Sequence, residues 1–389
     1  MTGVDQSALL AAKAPSSDAQ FANNAAVLDR VSAIARTELA PLATAIDQEA
    51  HYPAAILRAL GAAGAYGSHL PDPVTGAADL RTAISAMSLA SEHCLSTSFC
   101  MWCQSALAWY IAASDNEALK QQLLSAVASG AMLGGTGLSN PVKALTGVER
   151  FKLKGRKVDG GYVVKGALPW VSNLEADHVF ATAFEVEDSH SHHVMAIIGC
   201  SDPGVKLIEA ATFVALDATR TFSVQLRDVF VPDVNVLGNP AADYIERIRA
   251  GFILLQAGMG LGLIRDCVGL MRQERTSLGH VNKYIERQPE GIEAALVAAE
   301  AEVLHLASTP FDPEPGYFQR VLEARLRLGE LSVEAAHFAM LHQGAKGYVK
   351  SGIAQRRLRE AYFVAIVTPA TKHLRKMLAD GGGTPTCNV

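Results

Sequence analysis

Gly160-Gly-Tyr162-Val-Val-Lys-Gly166-Ala-Leu-Pro-Trp170-Val-Ser172-Asn173 is the stretch whose reading decides the fold. The turn Asp159-Gly-Gly opens a run of β-branched and aromatic residues with no helical period, which is how a strand leaves a hairpin. The same character holds from 132 to 238, in short runs such as His178-Val-Phe-Ala-Thr-Ala-Phe and Val194-Met-Ala-Ile-Ile-Gly, split by turns such as Asp202-Pro-Gly. No helical segment is expected between them, so the sheet should be antiparallel. No GxGxxG follows a strand, which argues against a Rossmann dinucleotide site.

Outward in both directions the period changes to that of a helix. On the N-terminal side, 26–43 repeats apolar residues every three or four positions until Pro41 interrupts it. Pro53 opens a further helix that Gly61 to Gly67 ends, and 80–113 reads as two nearly apolar helices joined near Cys94 to Thr97. On the C-terminal side, four long helices are expected over 244–273, 291–307, 318–346 and 354–378, with Pro310 to Pro315 as the connector. Gly258-Met-Gly-Leu-Gly falls inside the first of these, where glycines permit close helix packing. The expectation is an α+β chain: an N-terminal helical bundle (1–131), a middle antiparallel β domain (132–238), a C-terminal four-helix bundle (239–380) and a mobile tail (381–389).

Composition limits the function. At 389 residues, 49% hydrophobic and 19% charged, the chain is globular and long enough for two or three cores. A net charge of −5 argues against nucleic acid, which calls for a basic face. No run of ~18 apolar residues predicts a membrane span, and the N-terminus lacks a secretory pattern. Six cysteines, mostly far apart, are read as free thiols of a reducing cytoplasm. Cys100-Met-Trp-Cys103 has the spacing of a redox pair or half a metal site, but is read as two thiols in a buried helix, since no second pair completes a zinc site. His190-Ser-His192-His193 is read as a solvated hairpin loop, so no metal is expected.

The order helices–sheet–helices, with the motifs that follow, resembles the acyl-CoA dehydrogenase superfamily of flavoproteins along essentially the whole chain. Residues 160–173 resemble its G-x-Y-x-x-x-G-x-K-x-W-[IV]-[ST]-N strand pair, with Leu168 in place of the lysine. Thr219 to Pro232 resembles its closing strand, and Pro53 to Pro71 its proline loop. The resemblance implies FAD as cofactor, with Trp170 against the isoalloxazine and Ser172 near its reactive nitrogen. It also implies that Gly135 and Thr136, in Leu133-Gly-Gly-Thr136-Gly-Leu-Ser139, meet the flavin pyrimidine, with Thr146-Gly147 taking the place of a family Ser-Asp. Arg275, Ser277 and Leu278 resemble R-x-[ST]-F-G, whose arginine holds the pyrophosphate of a neighbouring subunit's FAD. Gly344 and Ala345 resemble the glycine motif G-G-x-G-[YF], and Thr371 aligns with the helix that ends the active site. A homodimer or homotetramer is implied, acting on a small molecule such as an acyl-CoA.

The resemblance breaks at the base. An acyl thioester α-proton is a weak acid, so the family sets a glutamate against it; here that place falls on Thr368 or Pro369. The alternative family place, on the long helix, falls at Arg249. The remaining weak candidates are Glu246, His342 and His373, so the catalytic residue is left unknown. Three readings stand, in this order: an FAD-dependent acyl-CoA dehydrogenase-like oxidoreductase with its base replaced, a flavin-dependent monooxygenase or oxidase on the same fold, and a non-catalytic scaffold, flavin-binding or flavin-free.

Overall fold

The computed structural model describes residues 17–72, 75–187, 192–209 and 211–381. The N-terminal part consists of α1 (Ser17–Ile34), α2 (Ala40–Gln48), α3 (Ala54–Ala62), α4 (Arg81–Ser91) and α5 (Leu95–Ala113), then the short α6 (Glu117–Leu119) and α7 (Ser125–Ala128). Pro41 does not interrupt the first helix as expected. A π-turn over Ala35–Leu39 widens the backbone just ahead of it and lets α1 run on into α2.

The middle part holds β1 (Gly134–Thr136), α8 (Ser139–Leu145), β2 (Leu153–Val158), β3 (Gly161–Val171), β4 (Val179–Val186), β5 (His193–Gly199), β6 (Val205–Glu209), β7 (Phe222–Pro232) and β8 (Val236–Gly238). They form one eight-stranded sheet in the order β6-β7-β3-β2-β4-β5-β8, with β1 beside β4. Two details depart from expectation. β1 and β2 pair with β4 in parallel, because the chain crosses the sheet end between β3 and β4 and returns in β2's direction. Between Thr136 and Trp170 the chain forms α8, a helix inside the β region where none is expected. Residues 188–191 of the histidine-rich loop lie outside the described residues; His192 pairs with Asn239 and His193 opens β5 against Phe151.

The C-terminal part is more divided than four helices. It comprises α9 (Ala241–Leu254), α10 (Ala257–Gln273), α11 (Arg275–Asn282), α12 (Pro289–Ala307), α13 (Tyr317–Gln343), α14 (Ile353–Ile366) and α15 (Thr371–Ala379). The breaks matter: one falls at Gln256 and another at 367–370, the segment that the resemblance aligns with the family's base. Of the expected tail, 382–389 lie outside the described residues. The Ala241–Gln273 stretch is apolar and long enough to cross a membrane, but 83% of its most apolar window is buried inside the protein.

The N- and C-terminal helices do not have separate cores. Their apolar faces bury one another in a single cluster that runs from Val27 to Met377, while the sheet keeps a smaller core around Phe180, Phe184 and Val224. The glycines of α10 make this possible. A Cβ on Gly258 would lie 2.6 Å from the Ile84 carbonyl oxygen, and one on Gly262 would lie 2.1 Å from that of Ser88, so α4 and α10 touch backbone to backbone. All five described cysteines are free and buried, Cys100 and Cys103 inside α5 as expected.

Candidate functional site

β3 ends at Val171, and the next residues are held by Asn173. This asparagine is buried in the left-handed region (φ 64°), accepts a hydrogen bond from the Tyr52 hydroxyl at 2.8 Å and donates to the Gly134 carbonyl at 2.6 Å. It thereby locks the end of β3 against β1. The contact is tight, since a Cβ on Gly135 would lie 2.1 Å from the Ser172 carbonyl oxygen. Gly135 therefore serves strand packing, and it brings Thr136 and Ser172 to one rim.

That rim opens on a crevice of about 520 Å³ between sheet and helices, lined among others by Thr136, Ser139, Trp170, Ser172, Thr221, Phe363 and Thr368. Trp170 is 58% exposed, lines the crevice and meets Phe213 edge-on with centroids 6.3 Å apart. Ser172 belongs to a ladder of hydroxyls: its Oγ lies 2.6 Å from Thr221 Oγ1, which lies 2.8 Å from Thr219 Oγ1. Thr136 Oγ1 is 3.0 Å from the Tyr110 hydroxyl. Apolar walls with a hydroxyl-rich edge fit a flavin ring, which is flat and apolar over most of its surface and polar along one side.

On the opposite wall Thr368 Oγ1 pairs with Ser139 Oγ at 2.8 Å. Behind it, Arg325 donates from Nε to Gln256 Oε1 and from Nη2 to the Val364 carbonyl, and Gln256 Nε2 donates to the Thr368 carbonyl at 2.8 Å. Arg325 is completely enclosed, and burial lowers its guanidinium to about 10, so it stays charged at neutral pH. Arg359 binds Asp47 and the Val214 carbonyl, which fixes the loop carrying Phe213 at the mouth. The only ionisable side chains lining the crevice, among the described residues, are Cys103, Lys143, Arg359 and Tyr362. Burial pushes the Cys103 thiol far up. No carboxylate or imidazole lies among these described lining residues.

The three base candidates sit elsewhere. Glu246 pairs with Arg249 at 3.1 Å, and Arg249 stacks on Phe318; both residues line a separate cavity of about 980 Å³ between α9 and the 310–319 connector. His342 is buried with Nε2 3.0 Å from the Arg287 carbonyl oxygen. His373 is buried with Nε2 2.7 Å from Thr146 Oγ1, and burial, aided by Lys143 and Lys376, lowers it to about 4. Thr146 ends α8 and is occupied by that contact and by the Val142 carbonyl, so it does not line the crevice. Thr368 lines the crevice, whereas Pro369 is buried behind it. Thr371 donates to the Ala365 carbonyl at the start of α15.

The remaining expected residues form a second group that does not line this crevice. Glu274 is its centre: its carboxylate accepts hydrogen bonds from Ser277 Oγ at 2.9 Å, Gln343 Nε2 at 3.0 Å and Lys346 Nζ at 2.7 Å. Lys346 first, then Ser277, holds that carboxyl below the usual range. Glu274 thus ties the start of α11, with Arg275, Ser277 and Leu278, to the turn holding Gly344 and Ala345. Arg275 is largely exposed and pairs with Glu290. Around this group Tyr284, Val281, Leu341, Tyr348 and Val349 are exposed. Elsewhere Glu175, Asp177 and His178 approach one another as metal ligands do, but Arg220 and Arg58 already neutralise the two carboxylates.

Sequence reasoning missed Ser139, Lys143, Gln256 and Arg325. No linear signal marks them, because each acts on a segment 100 or more residues away or gains its place only through packing.

The comparisons agree with this geometry. Residues 22–131 match the family described as acyl-CoA dehydrogenase, N-terminal domain. The mitochondrial short-chain specific acyl-CoA dehydrogenase of Bos taurus is 25% identical over 359 residues, covering 89% of this chain and 86% of that protein. The solved glutaryl-coenzyme A dehydrogenase in complex with glutaryl-CoA superposes with a TM-score of 0.82 at 20% identity, over 94% of this chain and 96% of that one. The FAD complex of PigA superposes with a TM-score of 0.80 at 14% identity, over 93% and 97%. The fold is thus that of these solved structures. Residues 22–131 carry the acyl-CoA dehydrogenase N-terminal domain, and about nine-tenths of the chain is similar to acyl-CoA dehydrogenases.

Proposed function

We propose that this protein is an FAD-dependent oxidoreductase that oxidises a CH–CH group of a small apolar substrate, an acyl-CoA in the first instance, without the carboxylate base of its relatives. The observation that carries this reading is the crevice itself: Trp170 beside Ser172 and Thr136, apolar walls, and a hydroxyl ladder on one edge. FAD, when bound, supplies a two-electron acceptor for hydride. The protein's own residues do the rest. Trp170 and Phe213 keep water from the crevice, Ser172 offers a hydroxyl oriented by Thr221 and Thr219, and Asn173 holds that hydroxyl in place. Thr368, paired with Ser139, cannot accept an α-proton at neutral pH, so the substrate's proton must leave without a protein carboxylate.

The same feature favours a second reading, a flavin-dependent monooxygenase or oxidase acting on a small apolar substrate. Such chemistry makes no demand for a base against a thioester α-carbon. The purified protein separates the readings. It should take up FAD and show a flavin spectrum; failure to bind any flavin would leave only a scaffold. Anaerobic acyl-CoA should bleach the bound flavin under the first reading. Bleaching by none, with oxygen consumed once flavin is reduced and a substrate is present, selects the second.

A homodimer or homotetramer is part of the proposal. The grouping of Arg275, Ser277, Leu278, Gly344 and Ala345 away from the crevice of their own chain supports a role for them on a partner's cofactor. The exposed apolar side chains around them support burial there.

A further inference from the structure

The helical wall of the crevice is built of rings. Phe99 and Trp102 of α5 lie nearly parallel, 15° apart with centroids separated by 5.6 Å. Phe363 of α14 meets Phe99 edge-on at 4.6 Å, and Phe252 of α9 lies 5.2 Å from Trp102. All four line the cavity. They are anchored: Phe99, Trp102 and Phe252 are buried, and the Trp102 indole N–H donates to the Phe252 carbonyl at 3.2 Å.

Behind them the seam between α5 and α9 is filled. Two turns further along α5, the Trp109 indole N–H donates to the Ile248 carbonyl at 3.1 Å. α9 lies so close that a Cβ on Gly251 would sit 2.5 Å from that indole. Two indole N–H bonds therefore join the helices, and a long flexible chain entering the crevice meets a closed wall. The space is also limited. A cavity of about 520 Å³ lies within the ~300–1,000 Å³ usual for one ligand, yet it must take a flavin ring and a substrate together.

We propose that the crevice selects a substrate whose reacting part carries a planar aromatic ring rather than a long linear chain, with Phe99, Trp102, Phe252 and Phe363 as the selecting residues. This rests on the flavin reading above. Rings stack offset or edge-on against rings at little conformational cost, whereas a linear chain must freeze its rotors and finds no channel.

Two pairs of probes test it, each pair sharing a head group: 3-phenylpropanoyl-CoA against octanoyl-CoA, and 3-phenylpropanoate against octanoate. Binding to the full chain is read as perturbation of the bound flavin's spectrum and, separately, as heat released on flavin-free protein. The phenyl member of at least one pair should bind about fivefold or more tightly than its linear partner. Phe99→Ala should bring the two members within about twofold, and Phe363→Leu should do so with less disturbance of the α5 core; thermal melts establish that each variant folds. Octanoyl bound as tightly as phenyl, no phenyl probe bound, or a preference unmoved in both folded variants overturns the proposal. Loss of flavin binding with the ring preference intact in calorimetry counts against the flavin reading alone.

Discussion

At the scale of single residues, the proposed function makes predictions for Thr368 and Ser172. Thr368 lines the crevice in the segment that the resemblance aligns with a family carboxylate; its hydroxyl pairs with Ser139, and its carbonyl accepts from Gln256. General-base catalysis contributes typically ~10²–10⁴-fold. Thr368→Glu should therefore raise the rate at which an acyl-CoA bleaches the bound flavin by about that range; an unchanged rate would show that the missing base is not what limits the reaction. Ser172→Ala removes one hydroxyl from the ladder. A single hydrogen bond is worth ~0.5–1.5 kcal/mol net, so flavin affinity should fall about two- to tenfold in a fluorescence titration. Position 172 was legible in the sequence because a strand pair ending in Trp-x-Ser-Asn is a local pattern. Ser139 was not, since its partner lies 229 residues away.

Helix ends and breaks matter at the next scale. The interruption between α9 and α10 frees Gln256 to reach both Arg325 and the carbonyl of Thr368, so a helix break on one element fixes the conformation of a loop on another. Gln256→Leu would leave a buried guanidinium N–H and a carbonyl unpaired, at a cost of ~1–3 kcal/mol each. A lowered urea midpoint with unchanged slope is expected, together with a looser 364–368 segment by hydrogen exchange; a midpoint equal to that of the parent would remove Arg325 and Gln256 from the account. The break at Gln256 escaped sequence reading for a physical reason: apolar periodicity continues through Leu255, and no glycine or proline stands at 255–257. The break at 367–370 does carry a helix breaker, Pro369, which the reading of 354–378 as one helix passed over.

For the molecule as a whole, the shared helical core and the buried histidines make stability depend on pH. His69, hydrogen-bonded to the Ser105 carbonyl, and His373 are each lowered to about 4, mainly by burial. An unfolded histidine titrates near ~6.5. Between those values the unfolded chain binds more protons than the folded one, so stability should be highest above ~6.5 and decline as pH falls through the window towards 4. Urea midpoints at pH 7 and pH 5 should show the drop, and His69→Gln should flatten it; a parent protein equally stable at both values contradicts the assignment. Assembly is tested at the same scale. Arg275→Ala should weaken flavin binding without lowering the melting temperature, because the arginine is exposed and its pair with Glu290 adds little within one chain. Unaltered flavin affinity would count against a cross-subunit role.

The order helices, sheet, helices, and the strand that ends at Trp170 and Ser172, are written into the chain locally. Periodicity, turn residues and glycine spacing act over a few neighbours and need no knowledge of what packs against them. The single helical core, the hydroxyl pair across the crevice, the clamp behind Thr368 and the ring-lined wall were decided only when the chain closed on itself. Those features join residues far apart in sequence, and their geometry depends on which helices approach one another. The glycines Gly258, Gly260 and Gly262 permit a close approach but do not say which helix makes it.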